Sequence, residues 1–145
     1  MPTVSRTFRV APAPPVVIDY LKDFSHATEW DPGTEQCTQA SAGPVGVGTR
    51  WNNVSKIMGV TTELDYELTE LSEHGLTFVG RNDSATSTDS ITVAPDGDGS
   101  QITYTADLEM HGAATLAAPA MKLVFEKLAG DTEEQLTAVL GRLAR

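Results

Sequence analysis

Two rhythms of hydrophobic spacing divide this chain. Up to Met110, apolar and polar residues alternate in short runs; beyond about Ala113, apolar residues recur at intervals of three and four. Period two sends side chains alternately to the two faces of a strand, whereas a period near 3.6 lines one stripe of a helix. Met121, Val124, Phe125, Leu128, Leu136, Val139, Leu140 and Leu143 form such a stripe. Lys122, Glu126, Lys127, Asp131, Glu133, Glu134 and Arg142 lie between them as a solvated face. The spacing predicts one helix from about Ala113 to Leu143, roughly 45 Å long. A helix that long cannot bury its stripe on itself, so the remainder of the chain must cover it.

The earlier runs predict what does so. Thr3 to Val10 alternates as a strand, and the three prolines between Ala11 and Pro15 end it. Pro14 and Pro15 suit the first turn of a helix, where their missing N–H groups cost little. Val16, Val17, Tyr20, Leu21 and Phe24 then recur at helical spacing, for a short helix ending near Asp23. A second short helix, Ser25 to Trp30, takes Ser25 as its N-cap and stops at the turn Asp31-Pro32-Gly33. Six further strands follow: Glu35 to Ser41, Thr49 to Met58, Thr61 to Leu71, Leu76 to Arg81, Ala85 to Ala94 and Gln101 to Met110. Glycine-rich or polar turns separate them, including Pro95 to Gly99. Short turns make consecutive strands antiparallel, and one apolar face per strand leaves one sheet face wet and the other covered. The expected architecture is α+β: a seven-stranded, curved antiparallel sheet around a long C-terminal helix, with two short helices after the first strand.

Composition narrows the partners. At 145 residues the chain suits a single domain over 1–145 and can bury a core of its own. Twenty acidic residues against ten basic ones leave a net charge of −10, which repels phosphate backbones and anionic lipid surfaces. Nucleic acid is therefore not expected as a partner. No apolar run is long enough for membrane insertion, and Met1 to Arg9 has no signal-peptide core, which points to the cytoplasm. Cys37 is the only cysteine, so no intrachain disulfide can form, and His26, His74 and His111 lack ligand spacing, so no metal is expected. Nucleophile-elbow and phosphate-loop motifs are absent as well; Gly43 to Gly48 lacks the Lys-Ser/Thr ending and leads into a strand. No cofactor is expected.

Several stretches carry a family likeness: Phe8-Arg9-Val10 before the Pro14-Pro15 helix start, Trp30-Asp31-Pro32-Gly33, and Gly46-Val47-Gly48-Thr49-Arg50-Trp51. Ser87-Thr88-Asp89-Ser90-Ile91 and Thr103-Tyr104-Thr105-Ala106-Asp107-Leu108 complete them. With this order of elements, the chain resembles the START-like (SRPBCC) helix-grip superfamily, in its polyketide cyclase/dehydrase and lipid-transport branch. The resemblance implies a cavity between sheet and long helix, capped by the short helices. It covers enzymes and carriers alike, so fold does not fix function.

Alternation assigns the cavity face. Trp51, Asn53, Ser55 and Ile57 should point inward, as should Leu64, Tyr66, Leu68 and Phe78, and Ile102, Tyr104, Ala106, Leu108 and Met110. Ile91 and Val93 set the parity of their strand and bring Asp89 and Ser87 to the same face. A carboxylate on an apolar face must be hydrogen-bonded, neutralised or wet. Asp89 is thus the best candidate for a catalytic acid or base, or for an anchor to a ligand hydroxyl, with a structural bond or a bulge into solvent as the alternative. The expected ligand-binding set is Trp51, Asn53, Tyr66, Phe78, Asp89, Tyr104 and Leu108 from the sheet, with Met121 and Phe125 from the helix. Trp30 and His26 are the candidate gate.

Three functions fit these residues. The first is binding of a small hydrophobic molecule, lipid-, polyketide- or sterol-like. The second is a cofactor-independent cyclase, aromatase or dehydratase working by general acid–base catalysis in the same cavity. The third is a protein-interaction module with a closed cavity. The sequence leaves the oligomeric state open.

Overall fold

The computed structural model describes residues 3–57, 59–112 and 118–143, with only the backbone described at 57 and at 118–122. Strand β1 (Thr3–Val10) leads through α1 (Pro14–Leu21), a 3-10 turn (Phe24–His26) and α2 (Ala27–Trp30) into the sheet. Strands β2 (Thr34–Gln39), β3 (Arg50–Ile57), β4 (Val60–Ser72), β5 (Gly75–Arg81), β6 (Ala85–Asp96) and β7 (Gly99–Met110) follow, then α3 (Ala118–Leu143). The strand order is β1-β7-β6-β5-β4-β3-β2, and every neighbouring pair is antiparallel. This is the α+β architecture expected from the spacing, and the helix-grip fold that the family resemblance implies. The expected helix start near Ala113 and strand end at Met58 lie outside the described residues.

Consecutive hairpins build six strands, and the first strand returns to pair with the last. In that pairing Val4 lies opposite Ala106 and Phe8 opposite Ile102, so the inward residues of both strands share one face. Polar residues fill the other: Ser5 and Thr105 hydroxyls meet at 3.1 Å, as do those of Thr7 and Thr103. Leu136 and Leu140 of α3 are fully buried in the core.

Several local features depart from the sequence reading. The stretch expected as one helix from Ser25 begins as the 3-10 turn, whose cap is Asp23 and not Ser25, and α2 that follows has no side-chain cap. The Asp23 carboxylate accepts from the Ser25 backbone N–H at 3.0 Å and from the Ser25 hydroxyl at 2.6 Å. A carboxylate taking two donors outcompetes a hydroxyl as acceptor. Strand β6 runs through Pro95 to Asp96, leaving only Gly97 and Asp98 for the turn, and Gly97 adopts a positive φ of 59° there. A bulge in β4 between Leu68 and Glu70 changes the parity, so that Leu71 packs against the core beyond it.

The concave face is divided in two. Over one half the chain between α1 and β2 drives Phe24 into the sheet. Its ring lies 4.5 Å from Phe78, 4.6 Å from Tyr66, 6.0 Å from Trp30 and 6.1 Å from Trp51, centroid to centroid. The tilted and edge-on geometries are those that aromatic quadrupoles favour. This cluster fills the sheet where the short helices land. Over the other half, Asp31 is the one residue between β1 and β2 that lines the space among the described residues, and that space, beneath α3, stays open.

Candidate functional site

That open space is a cavity of about 260 Å³. Its apolar wall includes Leu64 of β4, Ala106 and Leu108 of β7, and Phe125, Leu128 and Ala129 of α3. Its titratable groups come from four separate elements, Asp31 after α2, Tyr66 of β4, Asp89 of β6 beside Ser87, and Tyr104 of β7, while Ser55, Thr62, Asn82, Ser84 and Thr132 add neutral polar side chains. β6 carries alternate serines and threonines outward and Ser87, Asp89, Ile91 and Val93 inward, so one strand delivers an acid to an apolar face.

Asp89 is 7 % exposed. Its one hydrogen bond among the described residues is long, from the Ser87 hydroxyl to Oδ1 at 3.5 Å. Burial and then the nearby Asp31 charge push its carboxyl up to about 7, against the smaller opposing effect of Ser87. Burial also raises Asp31, but Thr34 donates to its Oδ2 at 2.7 Å and the Gly33 backbone N–H supports it. Of two repelling carboxyls, the one with fewer donors keeps the proton longer, and that is Asp89. Tyr66 and Tyr104 are driven well above the ordinary tyrosine range by burial, then by the Asp89 and Asp31 charges. Both stay protonated and can donate.

Asp31 is held by a directed chain of hydrogen bonds. The Ser55 hydroxyl donates to Asn53 Oδ1 at 2.6 Å, the Asn53 amide donates to the Thr34 hydroxyl at 3.0 Å, and Thr34 donates to Asp31. Each donor points toward the carboxylate, so the chain favours its charged form. Tyr66 is positioned by steric fit. Gly80 lies opposite it across β4 and β5, and a Cβ added there would sit 2.6 Å from the ring carbon bearing the hydroxyl. The absence of that atom lets the ring lie flat over Gly80.

The residues singled out in the sequence are not all brought together. Tyr66, Asp89, Tyr104, Leu108 and Phe125 line the cavity together. Trp51, Phe78 and Trp30 lie instead in the packed half, almost fully buried, and Asn53 is a buried member of the Asp31 chain and not a wall. His26, expected as a gate, is tied down: its Nδ1 lies 2.7 Å from the Tyr20 carbonyl oxygen and its ring stacks on Tyr20 at 4.3 Å. The side chain of Met121 lies outside the described residues. Asp31 was missed, because a turn signal explains an Asp-Pro-Gly triplet completely and discloses no long-range contact.

A sequence profile described as polyketide cyclase/dehydrase and lipid transport matches residues 1–145. The chain belongs to that family. No curated protein matches it in sequence. A START superfamily protein from Mycobacterium smegmatis superposes with a TM-score of 0.81 at 16% identity, over 97% of this chain and 98% of that one. A Streptomyces aromatase/cyclase gives 0.83 at 14% identity, over 99% and 95%. A STAR-related lipid transfer protein from Xanthomonas axonopodis gives 0.75 at 15% identity, over 95% and 85%. At these identities the likeness establishes the fold alone. Among the described residues, no helix is long and apolar enough to cross a membrane.

Within the family fold, these side chains can hold an apolar body against α3 and meet a polar end with two hydroxyl donors and two carboxyls. A carboxyl titrating near neutrality can also exchange a proton with whatever sits there.

Proposed function

We propose that residues 1–145 act as one unit that binds a small, mainly apolar molecule with a polar end, in the cavity between the sheet and α3. The observation that carries this reading is the half-filled concave face. Aromatic packing closes one half, while the other keeps about 260 Å³ bounded by apolar walls and a cluster of polar groups. Convergent polar groups in an apolar pocket are the usual mark of a ligand site. At about 260 Å³ the space lies just below the roughly 300–1,000 Å³ of sites for drug-sized ligands, which suits a molecule of one or two rings. A space of this size speaks against a module whose cavity is closed.

A second reading, proton-transfer catalysis of the cyclase or dehydratase type, is favoured by one feature. Asp89 titrates up to about 7 beside two protonated tyrosines, which suits a group that gives and takes a proton near neutral pH. Binding is the step common to both readings.

Native mass spectrometry tests it, with 2-naphthalenemethanol as the probe. One bound copy per chain is expected on the wild type. Ala106→Trp, which fills the cavity from β7, should lose it while keeping the fold by circular dichroism. No adduct on the wild type, or an equal one on the filled variant, refutes cavity binding.

A further inference from the structure

The titratable groups facing the cavity are all acidic. Asp31 and Asp89 are carboxyls, Tyr66 and Tyr104 are hydroxyls, and among the described lining residues there is no lysine, arginine or histidine. The ion pairs of the described residues lie elsewhere, on the surface between side chains at least one-third exposed. Asp89 Oδ2 and the Tyr104 hydroxyl have no hydrogen-bond partner among the described residues, although both residues are buried against the cavity. Two carboxyls with unfilled lone pairs in an apolar space are complemented by a cation that carries N–H donors. A ligand carboxylate or phosphate would add a third negative charge where screening is weak.

We propose that the cavity selects an amine: a one- or two-ring apolar body against Leu64, Leu108 and Phe125, with its ammonium group on Asp89 and its remaining N–H donors turned to Asp31 and the tyrosines. This rests on the reading that the cavity binds a ligand. It excludes fatty acids and other carboxylates, which the hydrophobic wall alone would accept. Binding requires Asp89 in its ionised form, so affinity for an amine rises with pH through about 7. The titratable groups facing Asp89 are Asp31 from the end of α2, Tyr66 from β4 and Tyr104 from β7. Strands β1 and β3, the β5–β6 turn and α3 present none among the described residues.

Three ligands of matched shape separate the possibilities: 2-naphthylmethylamine, 2-naphthalenemethanol and 2-naphthoic acid, titrated calorimetrically at about pH 6 and about pH 8. The amine should bind at least about tenfold tighter than the alcohol at the higher pH, with the acid undetected, as a charge-assisted pair implies. That preference should shrink at the lower pH and disappear in Asp89→Asn. An alcohol or acid that matches the amine, or an amine preference that survives Asp89→Asn, overturns the proposal and leaves cavity binding standing. Failure of all three ligands overturns both.

Discussion

Asp89→Asn should make this protein more stable, and increasingly so as the pH rises. The carboxyl titrates near 7 in the fold against 3.8 for an unperturbed side chain, because burial and the Asp31 charge disfavour ionisation. Folded and unfolded chains hold the proton equally well at pH values below the unfolded value. Between the two values the unfolded chain loses the proton and the fold keeps it, so this group's contribution falls by about 1.36 kcal/mol per pH unit. Above about 7 the fold carries the whole penalty, up to about 4 kcal/mol. Asparagine keeps the shape and the Ser87 bond and never ionises. The other titrating groups are common to both proteins and largely cancel in the difference. Urea unfolding of both at about pH 5.5 and about pH 8 checks this: the advantage of the variant should widen from about 2 to about 4 kcal/mol. A variant less stable than wild type at the higher pH, or a difference flat with pH, would refute the idea that Asp89 is an unpaired buried acid. Stability sacrificed at a single polar position inside a cavity is the pattern expected of a functional group.

Gly80→Ala places a methyl group within 2.6 Å of a Tyr66 ring that is itself packed on Phe24, and should cost about 1–3 kcal/mol by overpacking. An unchanged melting temperature would show that the ring is free to move aside. Leu140→Ala, at a fully buried position outside the cavity lining, should cost about 2–5 kcal/mol, whereas Phe125→Ala should cost less because its ring already borders open space. Equal losses in urea unfolding would mean that Phe125 is ordinary core. A chelator should leave the melting temperature unchanged, and DNA should not bind at physiological salt, given a net charge of −10. A chelator-sensitive melt, or micromolar DNA binding, would contradict this.

Alternation was enough to read the sheet, because one face of each strand is buried and a period of two survives single substitutions. It even placed Asp89 inside, on a strand so rich in serine and threonine that Ile91 and Val93 alone set its parity. What parity could not do was separate cavity wall from core. Trp51 and Phe78 point the same way as Leu64 and Leu108, yet the first two are packed and the last two face open space. The difference depends on where Phe24 lands, and that follows from the path of the short helices and from no periodicity in the strands. Asp31 was hidden for a related reason. Its role comes from Ser55 and Asn53, distant in sequence, acting through Thr34 just after the turn that seemed to explain it. The bulge at Leu68 reversed a local parity that only the pairing of β4 with β5 discloses.

The central claim, that a small molecule occupies the space between α3 and the open half of the sheet, is tested most directly by nuclear magnetic resonance. With leucine methyl groups labelled, 2-naphthylmethylamine should show saturable binding and ring-proton Overhauser contacts to Leu64, Leu108 and Leu128, but none to Leu136 or Leu140, which are buried outside the cavity lining. Contacts confined to surface methyl groups such as Leu123, or no saturable binding at all, would contradict it.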